Sequence, residues 1–159
     1  MCAEKIIRQL NLKPHMEGGY YKETYKSPHT ITIADGQQRS MSTAIFYLLQ
    51  KQDISCFHRI QSDELWFFHQ GSPLEIITLR DGQDHTICLG NNLEQGEIPH
   101  TVIPANTWLA ARMKNRSGYA LVSCTVAPGF EYEDLQMATE KQLIQEFPHL
   151  AGIIQEFTP

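Results

Sequence analysis

From Gly18 onward the chain is a succession of short apolar runs, each closed by a turn signal, and this texture limits the fold more than anything else in the sequence. The runs are Gly18 to Ser27, Ser42 to Leu49, Cys56 to Ile60, Glu64 to His69, Leu74 to Leu79, His85 to Leu89, Thr107 to Met113 and Tyr119 to Val126. They are rich in aromatic and β-branched residues and have strand length. Between them stand Asp35-Gly36, Gly71-Ser72-Pro73, Asp81-Gly82, Gly90-Asn91-Asn92 and Asn115-Arg116-Ser117-Gly118, residues that supply left-handed backbone or fix φ in turns. Eight or nine strands are expected, a number that suits a closed or double-sheet antiparallel barrel and makes the chain all-β.

Only the ends depart from this pattern. Ile6, Ile7 and Leu10 fall at helical spacing, which predicts a helix over Ala3 to Leu12 stopped by Pro14. At the other end Leu143, Ile144 and Phe147 repeat that spacing after Thr139, a good N-cap, and Pro148 ends or kinks the helix. One domain over 1–159 is expected, with a barrel over about 18–138 and a helical tail over about 139–157.

Composition excludes several functions. A net charge of −5 with scattered Lys and Arg argues against nucleic acid, which needs clustered cations. The longest apolar stretches, such as Ala44 to Leu49, fall far short of the roughly 20 residues of a membrane span. The N-terminus has no basic segment followed by a hydrophobic run, so a soluble, unexported, cytoplasmic protein is expected. Cys2, Cys56, Cys88 and Cys124 are widely spaced and form no Cys-x-x-Cys, which reads as reduced thiols acting as small hydrophobes.

Chemistry concentrates between Ser55 and Gly71, SCFHRIQSDELWFFHQG. Residues two apart on a strand share a face, so Cys56, His58 and Ile60 point one way, and beyond Gln61-Ser62-Asp63 the residues Glu64, Trp66 and Phe68 share another. If His58 and Glu64 both face inward they meet. Such a pair can hold a divalent metal, act as acid and base, or hydrogen-bond a polar ligand. His69 falls opposite Glu64 by parity unless a bulge intervenes. Glu17-Gly18-Gly19-Tyr20 reads either as a loop that brings backbone close to a ligand or as a turn feeding the first strand. Arg112, among small and apolar neighbours, either reaches solvent or offers its fork to an anion. Pro128-Gly129 bends the chain after the last long strand into a return over the barrel mouth, with Glu131, Glu133 and Asp134 expected in solvent.

His58-x-Ile60, three residues, Glu64, six residues and Gly71 resemble the first cupin motif, in which the family carries His-x-His, three or four residues, Glu, six residues and Gly. Pro104-Ala105-Asn106-Thr107-Trp108-Leu109 resembles the second, with Asn106 at the family's Gly and Leu109 at its histidine. Together with EGGYYKETY (Glu17 to Tyr25), STAIFYLL (Ser42 to Leu49) and GYALVSCTVAPGFEYEDLQMA (Gly118 to Ala138), these segments are similar to the fifth cupin group, a domain of unknown function, over almost the whole chain. The resemblance implies a double-stranded β-helix barrel of jelly-roll type, commonly a homodimer, with a pocket between its sheets. It implies no reaction, because the superfamily hosts isomerases, epimerases, oxygenases and plain binding proteins.

Of the family's four ligand positions this chain keeps His58 and Glu64, while Ile60 and Leu109 offer no lone pair. No tightly bound metal and no other cofactor is expected; a divalent cation held weakly by His58, Glu64 and waters stays open. The expected function is binding of a small organic ligand, a sugar, nucleotide-sugar or organic acid, in a pocket formed by His58, Glu64, Trp66, Phe68, Tyr20 and Arg112. The alternative is a metal-independent isomerase or epimerase in which His58 is the general base, Glu64 orients it, and Tyr20 or Tyr47 supplies the acid.

Overall fold

Two antiparallel sheets face each other, and each carries helix on its outer side. The computed structural model describes residues 2–158. Helix α1 (Ala3–Leu10) is followed by β1 (Lys13–Pro14), β2 (Tyr20–Lys26), β3 (Thr30–Thr32), β4 (Gln38–Ser40), β5 (Thr43–Gln50), β6 (Ile54–Arg59), β7 (Asp63–Gly71), β8 (Leu74–Arg80) and β9 (Gln83–Leu89). Then come β10 (His100–Ile103), β11 (Trp108–Met113), β12 (Tyr119–Ala127), β13 (Gln136–Met137), α2 (Glu140–Glu146) and α3 (Ala151–Glu156). One sheet runs β1-β2-β5-β12-β7-β10 and the other β13-β6-β11-β8-β9, with β3 and β4 forming a separate hairpin. This is the all-β jelly-roll barrel with helical ends.

Three apolar clusters explain why the central strands read as continuous hydrophobic runs instead of alternating ones. Tyr47, Leu49, Trp66, Ile76, Leu109 and Val122 fill the space between the sheets. Their neighbours along the chain face outward and are buried too. Leu48 and Leu121 lie under α1, while Phe57, Ile77, Trp108 and Ala110 lie under α2 and α3, against Leu143, Phe147, Ile154 and Phe157. Strands covered on both faces carry apolar residues at both parities.

The helices are close to expectation at their starts and shorter at their ends. Asn11 takes a left-handed conformation (φ 52°) and stops α1 before Leu12, whose N–H returns to Ile7 O. Thr139 caps α2, its hydroxyl accepting from Gln142 N–H. Pro148 then opens a short 3-10 turn (Pro148–Leu150) that redirects the tail into α3. Among the described residues no helix is long and apolar enough to cross a membrane.

Both motif loops are shaped by backbone demands. Gly71 has φ +110°, and a Cβ there would fall 2.0 Å from Tyr119 O, so the residue closing the first motif has no room for a side chain. Asn106, at φ 61°, adopts the left-handed turn itself and donates its N–H to Ile60 O. Asparagine is among the residues that tolerate this conformation, so the substitution keeps the loop.

Candidate functional site

A cavity of about 270 Å³ opens between the sheets at the end where β6, β7 and β12 meet the segment following Pro128. Its polar wall is Glu17, His58 and Glu64, its apolar wall includes Ile45, Ile60, Val126 and Phe130, and Tyr21 and Tyr132 also line it.

His58 reaches this cavity through an irregularity that parity alone does not anticipate. β6 and β11 pair Leu109 with His58 and Ala111 with Ser55, so Cys56 and Phe57 together oppose Ala110. This bulge reverses the side-chain alternation and turns both Ser55 and His58 inward. The expected shared face of Cys56, His58 and Ile60 is corrected accordingly: Cys56 is displaced from it, and Ser55 takes its place.

What Ser55 and His58 meet is Glu17. The Glu17 carboxylate lies 2.6 Å from His58 Nε2 and 3.0 Å from the Ser55 hydroxyl, which donates to the same oxygen, while its second oxygen lies 3.0 Å from His15 Nδ1. The backbone holds the loop in place: Cys56 N–H donates to Glu17 O, and the Tyr47 hydroxyl donates to Gly18 O at 2.7 Å. Gly18 has φ +113°, and a Cβ there would sit 1.9 Å from Ile54 O. Only glycine allows the loop to press this closely against β6. The loop thus feeds β2 and also delivers a carboxylate into the barrel.

The His58 ring is clamped on both sides, with Nδ1 2.8 Å from Cys56 O and Nε2 against Glu17. Burial on its own would discharge the ring, but the Glu17 charge and hydrogen bond more than offset it and raise His58 to about 9. Glu17 is itself subject to a burial effect that would raise it, overcome by the His58 charge and by hydrogen bonds from both histidines, so it is held well below the usual carboxylate range. The two form a buried ion pair.

Glu64 is in the opposite situation. Burial raises its carboxyl to about 7, with the His58 charge opposing and the Glu17 charge adding to the rise. Its Oε2 has no hydrogen-bond partner among the described residues, and neither does the nearby Trp66 Nε1. The Trp66 indole and the Cys124 thiol act to lower Glu64, without a hydrogen bond to that oxygen. An unpartnered buried polar atom costs about 1–3 kcal/mol.

The other residues expected at the site are placed elsewhere. Trp66 and Phe68 do share the inward face of Glu64, but Trp66 is taken into the packed interior, Phe68 packs against it, and neither lines the cavity. Tyr20 packs with the cluster under α1 on the outer face. Tyr47 is buried in the inner core, its hydroxyl spent on Gly18. Arg112 lies on the outer side of β11, bound to Glu75 and Glu156 and 5.1 Å above the Phe157 ring; its fork is occupied by this chain's own carboxylates. β7 does bulge, with Gln70 opposite Leu121 and Phe68 opposite Val122, yet His69 still points outward, to Ser123 and toward Phe46.

The return segment after Pro128 is more firmly tied than its acidic sequence suggests. Asp134 is 9% exposed, not solvated, and accepts two hydrogen bonds from the buried Arg39 guanidinium of β4. Glu133 also reaches Arg39, Glu131 pairs with Lys26, and the hydroxyls of Tyr132 and Tyr21 meet at 2.8 Å. The segment returns over the barrel mouth as its sequence implies, and Phe130, Tyr132 and Leu135, which no motif marks, line the cavity.

A metal of the kind the cupin pattern implies does not fit these residues. Ile60 and Leu109 carry no donor atom, and Nε2 of His58 is committed to Glu17. Among the described residues no three His, Cys, Asp or Glu side chains converge as a metal site.

Known proteins place this geometry in context. A sequence profile described as Cupin superfamily (DUF985) matches residues 4–138. An uncharacterized protein of Saccharomyces cerevisiae, YML079W, is 28% identical over 94% of this chain and 80% of its own length. A hypothetical protein from Leishmania major superposes with a TM-score of 0.93 at 32% identity, over 99% of each chain. Protein SO0799 from Shewanella oneidensis gives 0.92 at 31% identity, over 100% of this chain and 98% of its own. Oxalate decarboxylase from Bacillus subtilis, at 12% identity and a TM-score of 0.56 over 91% of this chain and 36% of the decarboxylase, shares the fold alone.

Proposed function

The chain belongs to the DUF985 family of the cupin superfamily, and from that premise we propose that it binds a small, uncharged, oxygen-bearing organic molecule in the cavity between its sheets. The carrying observation is the cavity of about 270 Å³ with Glu17, His58 and Glu64 on one side and apolar side chains on the other. Binding sites for small molecules have this mixed character, mostly apolar with a few convergent polar groups.

Size and charge narrow the ligand. The volume lies at the lower edge of the ~300–1,000 Å³ typical of ligand pockets, which suits a short-chain sugar or polyol and is too small to enclose a nucleotide-sugar. With Glu17 and His58 cancelling as an ion pair, the remaining charges on the cavity wall are Glu23 and a partly ionised Glu64 against Lys13, a negative balance. An organic acid would face net repulsion there, whereas hydroxyl and carbonyl groups would find both donors and acceptors.

The test is a thermal-shift screen of neutral sugars and polyols against carboxylic acids of equal size. The neutral compounds are expected to raise the melting temperature. Ile45→Trp, which fills the cavity from β5, abolishes the shift. A shift undiminished in Ile45→Trp, or a response only to the acids, overturns the reading.

A further inference from the structure

Three observations at the cavity go beyond binding. The first is Glu64, fixed on β7 between Val126 of β12 and Ile103 of β10. It lines the cavity, is 8% exposed, and its Oε2 has no partner among the described residues. That oxygen is closed off from the cavity, so a ligand meets Glu64 through the part of the residue that stays exposed there. The second is His58, whose two ring nitrogens are engaged by Cys56 O and Glu17. It therefore has no lone pair with which to accept a proton. The third is the hydroxyl pair of Tyr21 and Tyr132. One O–H is consumed within the pair, and the other is left to donate to a ligand oxygen.

We propose that Glu64 removes and returns the proton on the carbon next to the carbonyl of a small α-hydroxy aldehyde or ketone held in this cavity, with the Tyr21–Tyr132 pair donating to the carbonyl oxygen. The inference rests on the binding reading above and adds a base and a reaction to it. The ion pair of His58 and Glu17 lines the same cavity as a fixed wall, and the charges of both act on the Glu64 carboxyl.

The step balances without any co-reactant. The carboxylate of Glu64 takes the proton as the C–H bond breaks, the electron pair of that bond becomes the C=C bond of an enediolate, and the carbonyl π pair moves onto oxygen, where the tyrosine O–H stabilises it. Returning the proton to the same carbon regenerates the substrate or its epimer. No group leaves, and nothing is oxidised or reduced. Burial, countered by the His58 charge, raises the Glu64 carboxyl to about 7, so both of its protonation states are populated at neutral pH.

The experiment incubates the protein in D2O at neutral pD with glyceraldehyde, dihydroxyacetone, erythrulose, ribose and xylulose, following the hydrogens beside the carbonyl by proton NMR. Wild-type protein is expected to replace them with deuterium, and Glu64→Gln to slow this by about 100-fold or more. Glu64→Asp, which keeps the carboxyl, retains part of the rate. Circular dichroism confirms that both variants fold. No exchange above buffer with any of the five, or equal rates in wild type and Glu64→Gln, overturns the proposal. Calorimetry on the same mixtures separates the two readings: a sugar that binds without exchange defeats proton transfer and leaves binding intact, while neither binding nor exchange defeats both.

Discussion

His58 owes its charge chiefly to one neighbour. Its ring is 3% exposed, and burial would leave it neutral but for the Glu17 carboxylate 2.6 Å away. Glu17→Gln is therefore expected to drop the His58 pKa from about 9 to below the ordinary 6.5, read directly from the imidazole resonances in an NMR titration. Loss of stability should accompany it, roughly 3 kcal/mol, the lower end for breaking one partner out of a buried pair. An unchanged titration would mean that Glu17 is not what holds the proton. His58 and Glu64 were legible in the sequence because motif spacing marks them. Glu17 was legible only as part of a glycine-rich loop, since its place depends on docking against a strand far along the chain. The bulge that turns Ser55 inward lies in SCFHR, which has no glycine and no proline to betray it.

The loop carrying Glu17 is held as an element by its fit against β6. Gly18→Ala would set a Cβ 1.9 Å from Ile54 O at a backbone angle of φ +113°, so the loop must leave its seat. The expected cost is more than about 3 kcal/mol, combining left-handed strain with lost packing, and it is measured by thermal melting. A melting temperature within a few degrees of wild type would show that the loop is not locked there. The long strands were readable because they are apolar and bounded by turns, and α2 because Thr139 and its apolar spacing agree. The hairpin of β3 and β4 and the short strands β10 and β13 were not. All of β3 is exposed and β10 and β13 are at most half-covered apart from Ile103, so they carry no hydrophobic period to read.

At the scale of the whole molecule the buried carboxyls and imidazole make stability depend on pH in opposite senses. Glu64 is raised, so its contribution is present in full below 4.5 and is lost as pH rises toward about 7. His58 is also raised, and its contribution is lost between 6.5 and about 9. Glu17 is lowered, so its contribution is present above 4.5 and is lost in acid. Stability should thus decline from about pH 5 to pH 9. Glu64→Gln should flatten the part of the decline between 4.5 and 7, which at about 1.4 kcal/mol per pH unit amounts to something on the order of 3 kcal/mol, and leave the alkaline part. Denaturant titrations at a series of pH values measure this, and parallel profiles for the two proteins would contradict it. The arrangement of the cores has a practical consequence as well. The chain has two tryptophans, Trp66 in the core between the sheets and Trp108 in the core under the tail, where Arg59 stacks 4.3 Å from its ring centre. Two of the three cores therefore contain a native fluorophore each, and the one under α1 contains none: with Trp108 replaced by phenylalanine the tryptophan emission comes from the barrel interior alone, and with Trp66 replaced it comes from the seam between barrel and tail.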